Sequence, residues 1–199
     1  MNKSRSEYIV SATDPTNEIC MQRNAFLYVE RTVKTTIRLS KITVDLDRFI
    51  RLPIIETNKY KEDILRIAES AFVYDRRFHV MPDLNSATAS EVLKEWIGEL
   101  DRTLIALFKG IPVGFLALKE TDEDTLFVHL AAVEKKYRIT GAAMALYAKA
   151  CKIALERGYK KLEGRISTQN TAVMNVYATF GALFSEPQDI FIKEVKNDS

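Results

Sequence analysis

The stretch from residue 103 to residue 158 constrains the fold more than any other. "TLIALF" is a β-branched, apolar run, "KGIP" is a turn, and "VGFLALKE" is a second run. "TDED" turns the chain again into "TLFVHLAAV". Turns this short cannot carry a crossover, so the three strands form an antiparallel meander. The period then changes. Apolar residues fall at Ala143, Tyr147, Ala150, Cys151 and Ala154, a single helical stripe, and Gly158 after "LER" stops it. A meander feeding a helix limits the chain to a mixed α and β architecture.

Downstream, "KKLEGRIS" reads as a fourth strand. "NTAVMNVYATFG" reads as a short helix, capped by Asn170 and closed by Gly181. "ALFSEPQDIFIKE" supplies one or two last strands, and residues 196–199 are a polar, frayed tail. Upstream, "YKEDILRIAESAF" and "SATASEVLKEWIGEL" read as helices around the basic, aromatic loop "VYDRRFHVMPDL". Laid without gaps against the C-terminal region, the N-terminal region sets Ser11 on Ser167, Asp14 on Asn170, Ala25 on Gly181 and Phe26 on Ala182. Both pieces read as polar start, short helix, small residue, strand. Either residues 1–48 are a degenerate half-repeat packed on a main domain at 49–195, or the likeness is chance.

Several function classes fall away on composition. A net charge of +2 over 199 residues is too small to attract nucleic acid in bulk. No stretch approaches the ~20 apolar residues of a membrane span, and "MNKSRSEYIV" has charge but no apolar signal region. The two cysteines, Cys20 and Cys151, are far apart and in no metal-ligand spacing, so no metal is expected and both are expected as reduced core thiols of a cytoplasmic protein.

The chain has only seven glycines, and one of them, Gly141, stands where a basic turn enters the helix. A helix N-terminus offers unpaired N–H groups and a positive dipole end, which suit a phosphate. Glycine with Ala142 and Ala143 leaves the backbone approachable, and Arg138 adds a charged donor. Taken alone, the motif is equally a loop and a helix start. Neither GxxxxGK[ST] nor GxGxxG is present.

The residues 138–143, Arg-Ile-Thr-Gly-Ala-Ala, resemble the R/Q-x-x-G-x-G/A motif of the GNAT acetyltransferases. Asn170 through Tyr177 to Gly181 resembles that family's N-x-x-A-x-x-x-Y-x-x-x-G-F signature, with Val173 and Ala182 departing from it. The resemblance covers about residues 100 to 195. It implies the GNAT fold: an α/β (α+β) chain with a central mixed, mostly antiparallel sheet flanked by helices. A narrower likeness, carried by "RRFH" and "AFLYVERT", is to acetyltransferases of amino-sugar nucleotides.

The resemblance also implies roles. Arg138 and the amides of Ile139, Thr140, Gly141, Ala142 and Ala143 would hold the pyrophosphate of acetyl-CoA. The backbone of Ala131, Ala132 and Val133 would pair with its pantetheine arm. Asn170 is a helix cap that would also touch the cofactor arm. Tyr177 is either a core aromatic or the acid that protonates the leaving thiolate. The aligned N-terminal residue is Met21, so that copy would lack the acid. His129 is either a general base or a cross-sheet partner. Arg76, Arg77, Phe78 and His79 are either a solvated loop or a clamp on an amino-sugar nucleotide. A peptide or lysine acetyltransferase and a non-catalytic CoA-binding module are the other readings, and Tyr177 argues against the last. The exposed edges of a broken sheet leave room for a homodimer.

Overall fold

The computed structural model describes residues 4–71, 91, 93–95, 97–98, 100 and 102–195. Among these, eight strands form one sheet. They are β1 (Ser4–Ser11), β2 (Leu27–Arg38), β3 (Ile54–Thr57), β4 (Arg102–Phe108), β5 (Ile111–Asp122), β6 (Thr125–Val133), β7 (Lys161–Ser167) and β8 (Leu183–Val195). Their spatial order is β1-β8-β2-β7-β6-β5-β4-β3. The meander β4-β5-β6 is antiparallel as expected, and β6 pairs with β7 in parallel. A parallel pair needs a crossover, which helix α3 (Ala142–Glu156) supplies. The other helices are α1 (Pro15–Arg23), α2 (Lys61–Ala71) and α4 (Thr171–Thr179). Residues 91, 93–95 and 97–98 are also helical. No helix among the described residues is long and apolar enough to cross a membrane.

The sheet separates two apolar clusters. On one face, α3 and α4 bury Leu146, Tyr147, Cys151, Tyr177 and Phe180 against Ile37, Leu126, Val128 and Leu162. On the other, Ile64, Ile67, Leu93 and Ile97 pack on Ile105, Phe115 and Ala117. Helix α3 is buried around more of its circumference than a single stripe, because the segment from Ile42 to Leu52 covers its outer side. Phe49 of that segment meets Phe180 edge-on, with ring centroids 5.4 Å apart.

The N-terminal elements follow the same plan as the C-terminal ones. The ungapped offset that sets Ser11 on Ser167 carries Pro15–Arg23 onto Thr171–Thr179 and the start of β2 onto the start of β8. Asp14 and Asn170 cap their helices by accepting from backbone N–H groups. Ala25 and Gly181 both take left-handed backbone, φ 59° and 73°. Alanine there carries a Cβ penalty of roughly 1–2 kcal/mol that glycine escapes. The hydrogen bonds match as well: Phe26 N donates to Met21 O (3.0 Å) and Ala182 N to Tyr177 O (3.1 Å).

The two pieces interlock. β2 lies between β7 and β8, and β8 lies between β1 and β2. Arg31 of β2 grips Asp189 of β8 through two hydrogen bonds, 2.8 and 2.9 Å. The Asp189 side chain is buried, so removing Arg31 leaves that carboxylate buried and uncompensated. Cys151 is buried as expected, but Cys20 is exposed. The reason is that α1 lies on the surface with most of its residues in solvent, so it has no core to enter.

Because β2 is a shared interior strand, deleting residues 1–38 should abolish cooperative folding. Thermal melting followed by circular dichroism checks this. A cooperative melt like that of the full chain would mean that the remainder folds alone.

Candidate active site

The site is built where β6 and β7 stop pairing. Their parallel ladder runs from Thr125–Lys161 to Val128–Gly164 and ends there. On its other side β6 changes register: Leu118 faces Val128, and Ala117 faces Leu130. His129 is the extra residue, a β-bulge. The bulge exchanges the faces of the strand. Leu126 and Val128 look into the α3 and α4 cluster, whereas Leu130 and Ala132 join the α2 cluster. Beyond it, residues 129–133 of β6 have no strand on the β7 side among the described residues. Their backbone groups on that edge are open for an added strand.

The end of β6 is held in place. Glu134 N donates to Val113 O (2.9 Å). Arg66 of α2 donates to the Glu134 carboxylate at 2.7 Å, to Pro112 O at 2.9 Å and to Asp63 at 3.1 Å. Residues Lys135–Thr140 then form a 3-10 helix that delivers Gly141 to the start of α3. Gly141 adopts φ 80°, ψ 11°. The conformation itself requires glycine, since a Cβ there would meet nothing within 4 Å. No described residue therefore crowds Gly141. The first helical bond is Ala145 N to Gly141 O (3.0 Å), which leaves the N–H groups of Ala142, Ala143 and Met144 unspent in the first turn. Arg138 has no ion pair or hydrogen bond among the described residues and is free to add charge. Ile139 is 96% exposed. The Thr140 hydroxyl is already committed, donating to Tyr137 O at 2.7 Å.

Tyr177 lies beside the last rung of the β6–β7 ladder. Its side chain is wholly buried on α4, against Gly164, the last residue of β7 that pairs with β6. A Cβ on Gly164 would overlap the phenol oxygen. That oxygen makes no hydrogen bond among the described residues, an exception among buried polar groups. Burial pushes the Tyr177 phenol up to about 12, against the weaker opposing pull of the Thr35 and Tyr147 hydroxyls. The phenol thus holds its proton throughout the working pH range and sits further above a thiol than an ordinary tyrosine would. The Tyr147 ring meets it edge-on at 4.9 Å. Burial also pushes the Cys151 thiol up to about 12, so it offers no thiolate.

The other expected residues take these places. His129 is exposed and adjoins the Val128–Gly164 rung, so bulge and phenol share one level of the sheet. Asn170 caps α4, accepting from Val173 N at 3.2 Å. Arg76, Arg77, Phe78 and His79 lie outside the described residues. Three residues of this constellation were not among the expected site residues. Gly164 had a signal, a glycine inside a strand, which marks a close approach. Tyr147 was visible only as part of an apolar stripe. Thr35, whose hydroxyl donates to Gly164 O at 3.1 Å, arrives from the N-terminal region and had none.

The model of the acetyltransferase (GNAT) family matches residues 62–182. An L-2,4-diaminobutyric acid acetyltransferase of Streptomyces coelicolor is 39% identical over 74 residues, 36% of this chain and 44% of that protein. The match therefore spans less than half the length of that relative. Among solved structures, a functionally unknown conserved protein from Staphylococcus epidermidis superposes with TM-score 0.72 at 15% identity, over 96% of this chain and 73% of the other. A GCN5-related N-acetyltransferase from Sphaerobacter thermophilus superposes with TM-score 0.67 at 17% identity, over 98% and 61%. At such identities the likeness concerns the fold.

Gly164→Ala should force the phenol and the new methyl apart and lower stability by about 1–3 kcal/mol, the usual range for overpacking. Adding Tyr177→Phe removes the colliding oxygen and should recover part of that loss. Denaturant melts of the single and double variants check both. Equal loss in both would place the strain elsewhere.

Proposed function

The chain belongs to the acetyltransferase (GNAT) family, whose model matches well over half of it, and from that membership we propose that it transfers an acetyl group from acetyl-CoA to a primary amine on a small molecule. The observation that carries the reading is the Tyr177 phenol: buried, protonated, without a hydrogen-bond partner among the described residues, and set at the rung where the sheet opens. A thioester that loses its acyl group to an amine expels a thiolate, and a phenol in that position supplies the proton. The amine attacks directly, because Cys151 is buried and protonated and neither cysteine lies in a nucleophile motif.

The described residues suit the donor. The free amides of Ala142, Ala143 and Met144, the uncrowded Gly141 and the unpaired Arg138 suit a pyrophosphate. The open edge of β6 at Ala131, Ala132 and Val133 suits the amide-bearing arm. In this reading His129, exposed one residue beyond the last rung paired with β7, takes the proton the amine must shed. The family uses acetyl-CoA, which supplies the acyl group when bound.

For the acceptor we propose an amino-sugar nucleotide, on the strength of the "RRFH" segment, with Arg76, Arg77, Phe78 and His79 as its clamp. A second acceptor, a diamino acid, is favoured by the 39% identity to a diaminobutyric acid acetyltransferase. The same reading takes residues 1–48 as a degenerate half-repeat on the domain at 49–195. The matched caps and left-handed turns support it. The aligned Met21 supplies no acid, so this copy is not catalytic.

Gly141→Val places a β-branched residue at φ 80° and should weaken CoA binding by roughly 2 kcal/mol as charged hydrogen bonds are lost. Calorimetry on the folded variant checks it. Unchanged affinity would remove the phosphate cradle.

Tyr177→Phe keeps the ring and should lower turnover by about 10²–10⁴ with little change in acetyl-CoA affinity. Thiol release from acetyl-CoA measures it, with amino-sugar nucleotides, L-2,4-diaminobutyrate and lysine-bearing peptides as acceptors. Near-normal turnover by the Phe variant would return Tyr177 to the core. Preference for the diamino acid would displace the nucleotide reading.

A further inference from the structure

We infer that Thr35, on the N-terminal strand β2, is a positioning residue of the reaction: its hydroxyl turns to the Tyr177 oxygen and hydrogen-bonds the phenolate left when the proton departs. The inference rests on the reading of Tyr177 as the acid.

Thr35 is wholly buried and pairs with Gly164 across β2 and β7. Its hydroxyl donates to Gly164 O at 3.1 Å. The point where a Cβ of Gly164 would stand is 3.3 Å from Thr35 Oγ1 and overlaps the Tyr177 oxygen. Two hydroxyl oxygens from different ends of the chain therefore converge on one glycine. A threonine hydroxyl is a rotor with a single proton. While Tyr177 is protonated, that proton rests on the Gly164 carbonyl. Once the phenol is ionised, its oxygen becomes the stronger acceptor and the hydroxyl turns to it.

Such a donor answers a specific difficulty. A phenolate enclosed in apolar surroundings is costly, which is the reason burial holds the proton so firmly. An acid that never ionises is no acid, so the pocket must supply a donor at the moment of transfer. The proton accounting closes. The O–H bond of Tyr177 breaks as the S–H bond of the leaving thiol forms, and Thr35 keeps its own proton throughout. The phenolate is restored by a proton equivalent to the one the amine nitrogen loses when the amide forms. The Tyr147 ring, on α3, meets the phenol ring edge-on. The N-terminal strand is thus a working part of the centre.

The test is a double-mutant cycle in the thiol-release assay. Thr35→Val preserves shape and should lower kcat about 10- to 100-fold, as expected for one hydrogen bond to a charge. The KM for acetyl-CoA should hold. Thr35→Ser should restore most of the turnover. In a Tyr177→Phe background, Thr35→Val should cause no further loss, because no phenolate forms. The same loss in both backgrounds, or failure of serine to rescue, would make Thr35 a packing residue and overturn the inference. Normal kcat in Thr35→Val beside a crippled Tyr177→Phe would overturn it while sparing the acid. A neutral Tyr177→Phe would sink both.

Discussion

The short parallel ladder between β6 and β7 governs the rest of the molecule. It closes the sheet from Thr125–Lys161 to Val128–Gly164 and no further. A longer ladder would seal the opening; a shorter one would free Gly164 and leave the phenol without a floor. The bulge at His129 ends it by turning the strand over. The faces of β6 then exchange, and apolar residues still meet a core on both sides of the bend. One inserted residue keeps the core continuous and opens a slot in the sheet.

Around that slot the protein accepts local penalties. The phenol is buried without a partner among the described residues, a condition worth about 1–3 kcal/mol against folding. The surrounding contacts hold it there: Gly164 provides room, Tyr147 packs on the ring edge, and Thr35 fills the remaining side. On the far face of the same strands, charges are paired where helices do not cover the sheet. Lys34 lies 3.2 Å from Glu163 and 3.5 Å from Glu186. One strand, β2, serves both faces.

The meander, the helix after it and the caps of α4 were legible because local rules decide them: period, turn residues, a glycine after a run. Gly141 was legible as a site but for an incomplete reason, since its backbone angle requires glycine before any ligand is considered. The likeness of the segments around α1 and α4 was legible residue by residue down to Ala25 against Gly181. The interlocking of their strands was not, because no local pattern records which edge a strand joins. Thr35 was hidden for the same cause. It meets Gly164 at a separation of 129 positions, and no spacing rule reaches that far. Cys20 was misplaced because burial was inferred from residue type, and α1 has no core beneath it.

The placement of β2 also orders events during synthesis. This strand leaves the ribosome well before its two neighbours, β7 and β8. Arg31 waits for Asp189, 158 positions later. At usual translation speeds the wait is on the order of ten seconds, with both edges of β2 unpaired. An apolar strand so exposed would invite pairing with other nascent chains. The sequence of β2, LYVERTVKTTIR, instead carries a charge every few residues. Glu30, Arg31, Lys34 and Arg38 disfavour such pairing by their charge, and in the finished sheet Arg31 pairs with Asp189 and Lys34 with Glu163. The charges that line the finished sheet thus first act as a guard on an unfinished one.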